Sequence, residues 1–131
     1  MHIAIFGKPF YEKHQESVKH VIERVSQIDE NALLFDGFRK ELEKYMDPPA
    51  SLGRFNSTSD LDNIDVLITL GGDGTFLESI MFAAERGIPI LGINTGTLGF
   101  LSNVSTERIN EALDAIVSGK TWIDERSVLQ V

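Results

Sequence analysis

At 131 residues, 42% of them hydrophobic and 24% charged, the chain fits one globular domain of ordinary size and falls outside disordered and collagen-like compositions. Its formal charge of -8, with Lys and Arg scattered, leaves no electrostatic footprint for nucleic acid and obliges any phosphate site to use backbone amides, a helix terminus or a divalent cation. Without cysteine there is no disulfide, thiolate nucleophile or cysteine metal site; with neither a leader-like start nor the ~20 apolar residues of a membrane span, the expectation is a soluble, cytoplasmic protein.

His2 to Phe6 is a short apolar run closed by Gly7 and predicts a first strand; Val18, Val21, Ile22, Val25 and Ile28 then recur at helical spacing as one apolar stripe. Ala32 to Phe35 predicts a second strand, and Phe38, Leu42, Tyr45 and Met46 predict a second amphipathic helix stopped by Asp47-Pro48-Pro49. From there to Asn63 the chain is rich in Ser, Gly, Asn and Pro, which predicts a long surface loop. Val66 to Leu70 is an uninterrupted apolar run, as expected of a strand covered on both faces. Thr75 to Arg86 predicts the helix after it, with Phe76, Ile80 and Ala83 or Ala84 on one side. Ile88 to Ile93 predicts a fourth strand and Asn94 to Leu101 a glycine-bearing loop; Ile109, Leu113, Ile116 and Val117 mark a last helix with Gly119 as its C-cap. Trp122 onward reads as extended, and Ser127 to Val131 alternates like a strand that has only begun. Strand-helix pairs in series require parallel strands, so the expected fold is a three-layer α/β sheet with helical crossovers. A terminal strand without a neighbour would expose a sheet edge, so the chain is expected to be part of a longer protein.

Ligands of open parallel sheets bind beyond the carboxyl ends of the strands, where the run Gly71-Gly72-Asp73-Gly74-Thr75 falls. Its glycines permit close backbone approach, so successive amides and the positive end of the following helix can face an anion. Asp73 among such amides repels an anion unless it accepts a proton, holds a metal ion or bonds a sugar hydroxyl; the alternative is that it only makes the turn or caps the helix. Thr75 and Glu78 have the spacing of a capping box. The second constellation is Asn94-Thr95-Gly96-Thr97-Leu98-Gly99-Phe100-Leu101, able to offer amides and hydroxyls to phosphate or ribose and the Phe100 ring to a base, or else a tight turn with Phe100 in the core. Gly119-Lys120-Thr121 is not a P-loop, because Asp114 stands where its first glycine belongs. Gly72-Asp73-Gly74 does not continue into a dinucleotide fingerprint, since Leu77 takes the third glycine position and Asn94 the place of the acid. His2, His14 and His20 form no metal cluster, with His14 and His20 expected on the solvated side of a helix; Lys8 is expected as a surface residue near the site edge.

Together, Gly71-Gly72-Asp73-Gly74-Thr75 and Asn94 to Leu101 resemble the paired motifs of the NAD kinase family. The first motif is shared with lipid kinases and, slightly altered, with phosphofructokinases; the second resembles NAD kinases. The resemblance implies transfer of a phosphate from ATP, or sometimes polyphosphate, to the 2′-hydroxyl of the adenosine ribose of NAD, with help from a divalent cation such as Mg. It implies Asp73 as general base, Gly71, Gly72, Gly74, Asn94 and Thr97 in nucleotide binding, and Phe100 with Leu101 packing on the dinucleotide. Many relatives carry a basic residue near position 78, where this chain has Glu78. The family continues into a mostly β second domain, so residues 1-121 are expected to form the nucleotide-binding domain and 122-131 to begin the second, the chain alone having little activity. NAD and ATP are the implied partners, with no nucleic acid or membrane, and a homo-oligomer, dimer or tetramer, is implied for the full-length protein. The alternatives are a lipid kinase lobe and a non-catalytic nucleotide-binding module.

Overall fold

The computed structural model describes residues 1-95, 104-105 and 108-118. It contains one parallel sheet of six strands: β1 (Ile3–Gly7), β2 (Leu33–Phe35), β3 (Gly53–Phe55), β4 (Val66–Gly71), β5 (Ile90–Asn94) and β6 (Val104–Ser105). The spatial order is β3-β2-β1-β4-β5-β6. Among the described residues four α-helices accompany it, α1 (Gln15–Ile28), α2 (Asp36–Leu42), α3 (Asp73–Ala83) and α4 (Ile109–Val117). The expected three-layer architecture is therefore present.

Its layers follow from the side-chain pattern. In β1 every residue is buried, because Ile3 and Ile5 face one layer while Ala4 and Phe6 face the other. The first layer holds Val18, Val21, Ile22 and Val25 of α1, Phe38 and Leu42 of α2, and Ile109, Ala112, Leu113 and Ile116 of α4. The second is built on Phe76 and Ala83 of α3 together with Phe55, Leu61 and Ile88. Strands inside such a sandwich have no solvent face, which is why β4 and β5 read as continuous apolar runs. At the start of β1, buried Asp29 ties the C-cap of α1 to the sheet by accepting from the Ile3 amide at 2.9 Å. No helix among the described residues is long and apolar enough to cross a membrane.

Two expectations are corrected. The second helix ends at Leu42; from there to Met46 the chain winds on in tighter turns, Lys44 N–H bonding to Glu41 O and Tyr45 N–H to Leu42 O. Such three-residue closures suit the last turn before Pro48 and Pro49, which bring no amide donors. The stretch read as one long loop holds the edge strand β3 and a 3₁₀ turn, Thr58–Leu61, with Leu52, Phe55 and Leu61 buried. Gly53 in β3 is close-packed, since a Cβ there would come within 2.6 Å of Leu33. The readings for Gly119, Trp122 and the stretch 127-131 fall outside the described residues.

The 3₁₀ turn carries a capping box between Ser57 and Asp60. The Asp60 carboxylate accepts from the amides of Asn56 at 2.9 Å and Ser57 at 3.2 Å, and these bonds, Asn56 first, hold its pKa below the ordinary carboxylate value. A folded value below the unfolded one means that the cap stabilises the turn above the ordinary carboxylate range and is lost as pH falls through the folded value. Protection factors of the Asn56 and Ser57 amides, relative to their intrinsic exchange rates, should fall on acidification in the wild type, and in Asp60→Ala they should be low already at neutral pH.

Candidate functional site

In a 3-2-1-4-5-6 sheet the chain leaves β1 toward one side and β4 toward the other, opening a crevice between their carboxyl ends. The register places Gly7 level with Leu70, so the β1–α1 connection and the β4–α3 turn leave the sheet side by side. A cleft of about 410 Å³ lies there, lined by Lys8, Phe10, Tyr11 and His14 from the first connection, Gly71, Gly72, Asp73 and Thr75 from the second, and Asn94 and Thr95 from the end of β5. Gly71 pairs with Asn94 across the β4–β5 ladder, and the Thr95 amide donates to the Gly71 carbonyl at 3.3 Å. Asn94 is only 5% exposed. The starts of the two motifs, 23 residues apart in sequence, are thus one surface in space.

The three glycines of the first motif have different reasons to be glycine. Gly71 adopts φ 154°, a conformation side chains rarely take, and a Cβ on it would lie 2.5 Å from Thr75 Oγ1. Its requirement is internal. Gly72 and Gly74 have no positive φ, and a Cβ on either would meet nothing within 4 Å. Among the described residues neither turn geometry nor packing asks for glycine at these two positions, and the missing side chains let another group come close to the backbone there. Gly72 is also the N-cap of α3, offering no side-chain oxygen to the helix end, and the helix directs its positive terminus into the cleft. Half-buried Asp73 opens that helix as its one first-turn acid.

The expected capping box is not formed. The helix starts two residues before Thr75, with Phe76 N–H bonding to Gly72 O at 3.1 Å, which puts Thr75 inside the first turn and packs its side chain against Gly71. Glu78 bonds instead to the Lys8 ammonium, Nζ to Oε1 2.8 Å, across the rim of the cleft. Lys8 and His14, expected as ordinary surface and solvated residues, both line the cleft, His14 with its ring against Tyr11 at a centroid distance of 6.1 Å. Phe10 and Tyr11 also line it, with no local motif to mark them. Their signal was positional, since a seven-residue connection from Gly7 to Gln15 leaves the carboxyl end of a central strand.

Asp73, Gly71, Gly72 and Asn94 come together in the cleft, and Gly74 follows in the first turn of α3. Thr97, Phe100 and Leu101 lie outside the described residues. Among the described residues no group of three or more His, Cys, Asp or Glu side chains could hold a metal ion. A larger concavity of about 730 Å³ lies at the opposite edge of the sheet, lined by His2, Asp29, Asp60, Asp62 and Asp65 among others. Its carboxylates are engaged internally: Asp65 accepts from the His2 amide at 2.7 Å, Asp29 and Asp60 close backbone caps, and Asp62 pairs with Arg86. The cleft at the carboxyl edge is the better site, because helix and backbone dipoles point into it.

The glycine assignments separate in a stability measurement. Gly71→Ala should cost about 1–3 kcal/mol in urea unfolding, from backbone strain and the clash with Thr75. Gly74→Ala should be neutral or stabilise by up to ~1 kcal/mol, as expected for alanine replacing a helical glycine with space around it. A Gly74→Ala variant less stable than Gly71→Ala would contradict this division.

Similarity to known proteins agrees with the site. The family model described as the ATP-NAD kinase N-terminal domain matches residues 8–121. An NAD kinase of Cytophaga hutchinsonii is 32% identical over 132 residues, covering 100% of this chain and 45% of that protein. One of Bacteroides fragilis is 49% identical over 67 residues, 51% of this chain and 23% of its own. A crystal structure of yeast NADH kinase complexed with NADH superposes with a TM-score of 0.74 at 26% identity, over 92% of this chain and 38% of the yeast chain. The chain spans about half the length of relatives that it matches from end to end.

Proposed function

The chain belongs to the NAD kinase family, and on that premise we propose that the protein it forms phosphorylates the 2′-hydroxyl of the adenosine ribose of NAD to give NADP, with ATP or polyphosphate as donor. The observation that carries this reading is the placement of a carboxylate, Asp73, in the first turn of a helix whose amino terminus and glycine turn line the cleft.

The chemistry required of the chain is modest. Asp73 accepts the proton of the ribose hydroxyl as its oxygen bonds to the terminal phosphorus of the donor; the bond from that phosphorus to the bridging oxygen breaks and the shortened phosphate chain departs. The backbone at Gly71, Gly72 and Gly74 and the positive end of α3 approach the phosphates, offsetting charge where it develops. Asn94 and Thr97 supply polar contacts to the nucleotide, while Phe100 and Leu101 pack on it. A divalent cation fits only as one that arrives with the phosphates, for the described residues offer it a single carboxylate at the cleft, Asp73; when bound it would neutralise phosphate charge.

We assign residues 1–121 to the nucleotide-binding domain and 122–131 to the start of a second, mostly β domain, supported by the extent of the family match and by the longer relatives. On this reading the 131-residue chain alone turns over little NAD.

In the full-length protein Asp73→Asn should lower kcat for NADP formation by about 10²–10⁴-fold, the usual contribution of a general base, while the Kd for NAD stays within a few-fold. Retained turnover would remove Asp73 from its role. A wild type that binds nucleotide without turnover, with the affinity kept in Asp73→Asn, would favour a non-catalytic binding module.

A further inference from the structure

A chain of net charge -8 that receives a phosphate chain gains from a cation at the receiving surface, beside the amides and helix terminus already there. Among the described residues lining the cleft, Lys8 is the one Lys or Arg. It stands directly past the carboxyl end of β1, beside Gly71 to Asp73, and its ammonium is bonded at 2.8 Å to Glu78 on the second turn of α3. The two side chains are 50% and 47% exposed. An ion pair so open to water contributes little to stability, so holding the fold together does not account for it. What the pair does is hold a flexible four-carbon cation at the rim, beside the Gly71 to Asp73 turn.

We infer that Lys8 receives the oligophosphate chain of a nucleotide, and that Glu78 is a positioning residue that holds the ammonium at the rim until the ligand arrives. The inference rests on the kinase reading above. A di- or triphosphate carries more negative charge than one carboxylate and approaches along the helix axis, so it draws the ammonium from Glu78 at small cost. Glu78 then competes with the phosphate for Lys8, which fixes the sign of its effect: removing its charge tightens ligand binding, whereas removing Lys8 weakens it. The triphosphate of the donor and the diphosphate of the dinucleotide share this chemistry, and separate titrations tell them apart.

The test is equilibrium titration of the full-length protein with ATP, inorganic tripolyphosphate and NAD. Lys8→Ala should weaken binding by about tenfold for the ligand whose phosphates it meets, the size of a charge-assisted contact, and Lys8→Arg should restore most of it. Glu78→Gln should tighten the same ligand by roughly threefold, and since removal of any nearby carboxylate favours an anion, the part that acts through the released ammonium is the part lost when the change is made in Lys8→Ala. Loss for ATP and tripolyphosphate with NAD unchanged assigns Lys8 to the donor; loss for NAD alone assigns it to the dinucleotide. All three affinities within twofold of wild type in Lys8→Ala would overturn the inference, while the kinase reading stands if Asp73→Asn still abolishes turnover. Should Lys8→Ala fail to fold, Glu78→Gln decides, and unchanged or weaker binding in that variant contradicts the proposal. A wild type that binds none of the three overturns both.

Discussion

The site depends on the parallel pairing of β1 with β4, which sets Gly7 level with Leu70 and sends the two following segments out of the sheet together. Were β1 displaced by one position, its alternating side chains would exchange layers, sending Phe6 into the helix layer that Ile5 now fills. Burial on both faces therefore fixes the register, and the register fixes the distance between Lys8 and the Gly71–Asp73 turn. The cleft is a consequence of core packing before it is a feature of any loop.

Charge is the second constraint. An acidic chain that places Asp73 at a phosphate-binding helix terminus has to balance the repulsion locally, because its long-range field offers no help. It does so with fixed dipoles and one tethered cation. The dipoles come from α3 and from the peptide groups of the glycine turn before it; the cation comes from the opposite segment of the cleft, 70 residues away from its partner Glu78. Fixed dipoles need no reorganisation when a ligand binds, whereas the tether of Lys8 is weak enough to be released.

Much of this was legible in the sequence, for reasons that differ by element. β1, β4 and β5 are buried on both faces and so appear as plain apolar runs, and α1 shows its stripe because only one side meets the sheet. β3 was not legible: Gly53, Arg54 and Phe55 are too few to show a period, and they form a strand only because β2 already lies beside them. β6, two residues long, is the same case. Thr75 and Glu78 carry the spacing of a capping box, yet the helix begins earlier and the true partner of Glu78 comes from another segment, a long-range contact that no local pattern encodes. Gly71, Gly72, Asp73 and Asn94 were found because strand-end glycines have a direct physical use, whereas Phe10, Tyr11 and His14 line the cleft only through the fold.

The central claim is that the carboxyl-edge cleft between β1 and β4 receives the phosphates of a nucleotide. Residue-resolved amide shifts on titration with ATP and with NAD test it most directly. The largest shifts are expected at Lys8, Gly71 to Thr75 and Thr95, with His2, Asp29 and Asp65 at the opposite edge unmoved. Shifts centred on that opposite edge, or spread evenly over the surface, would contradict it.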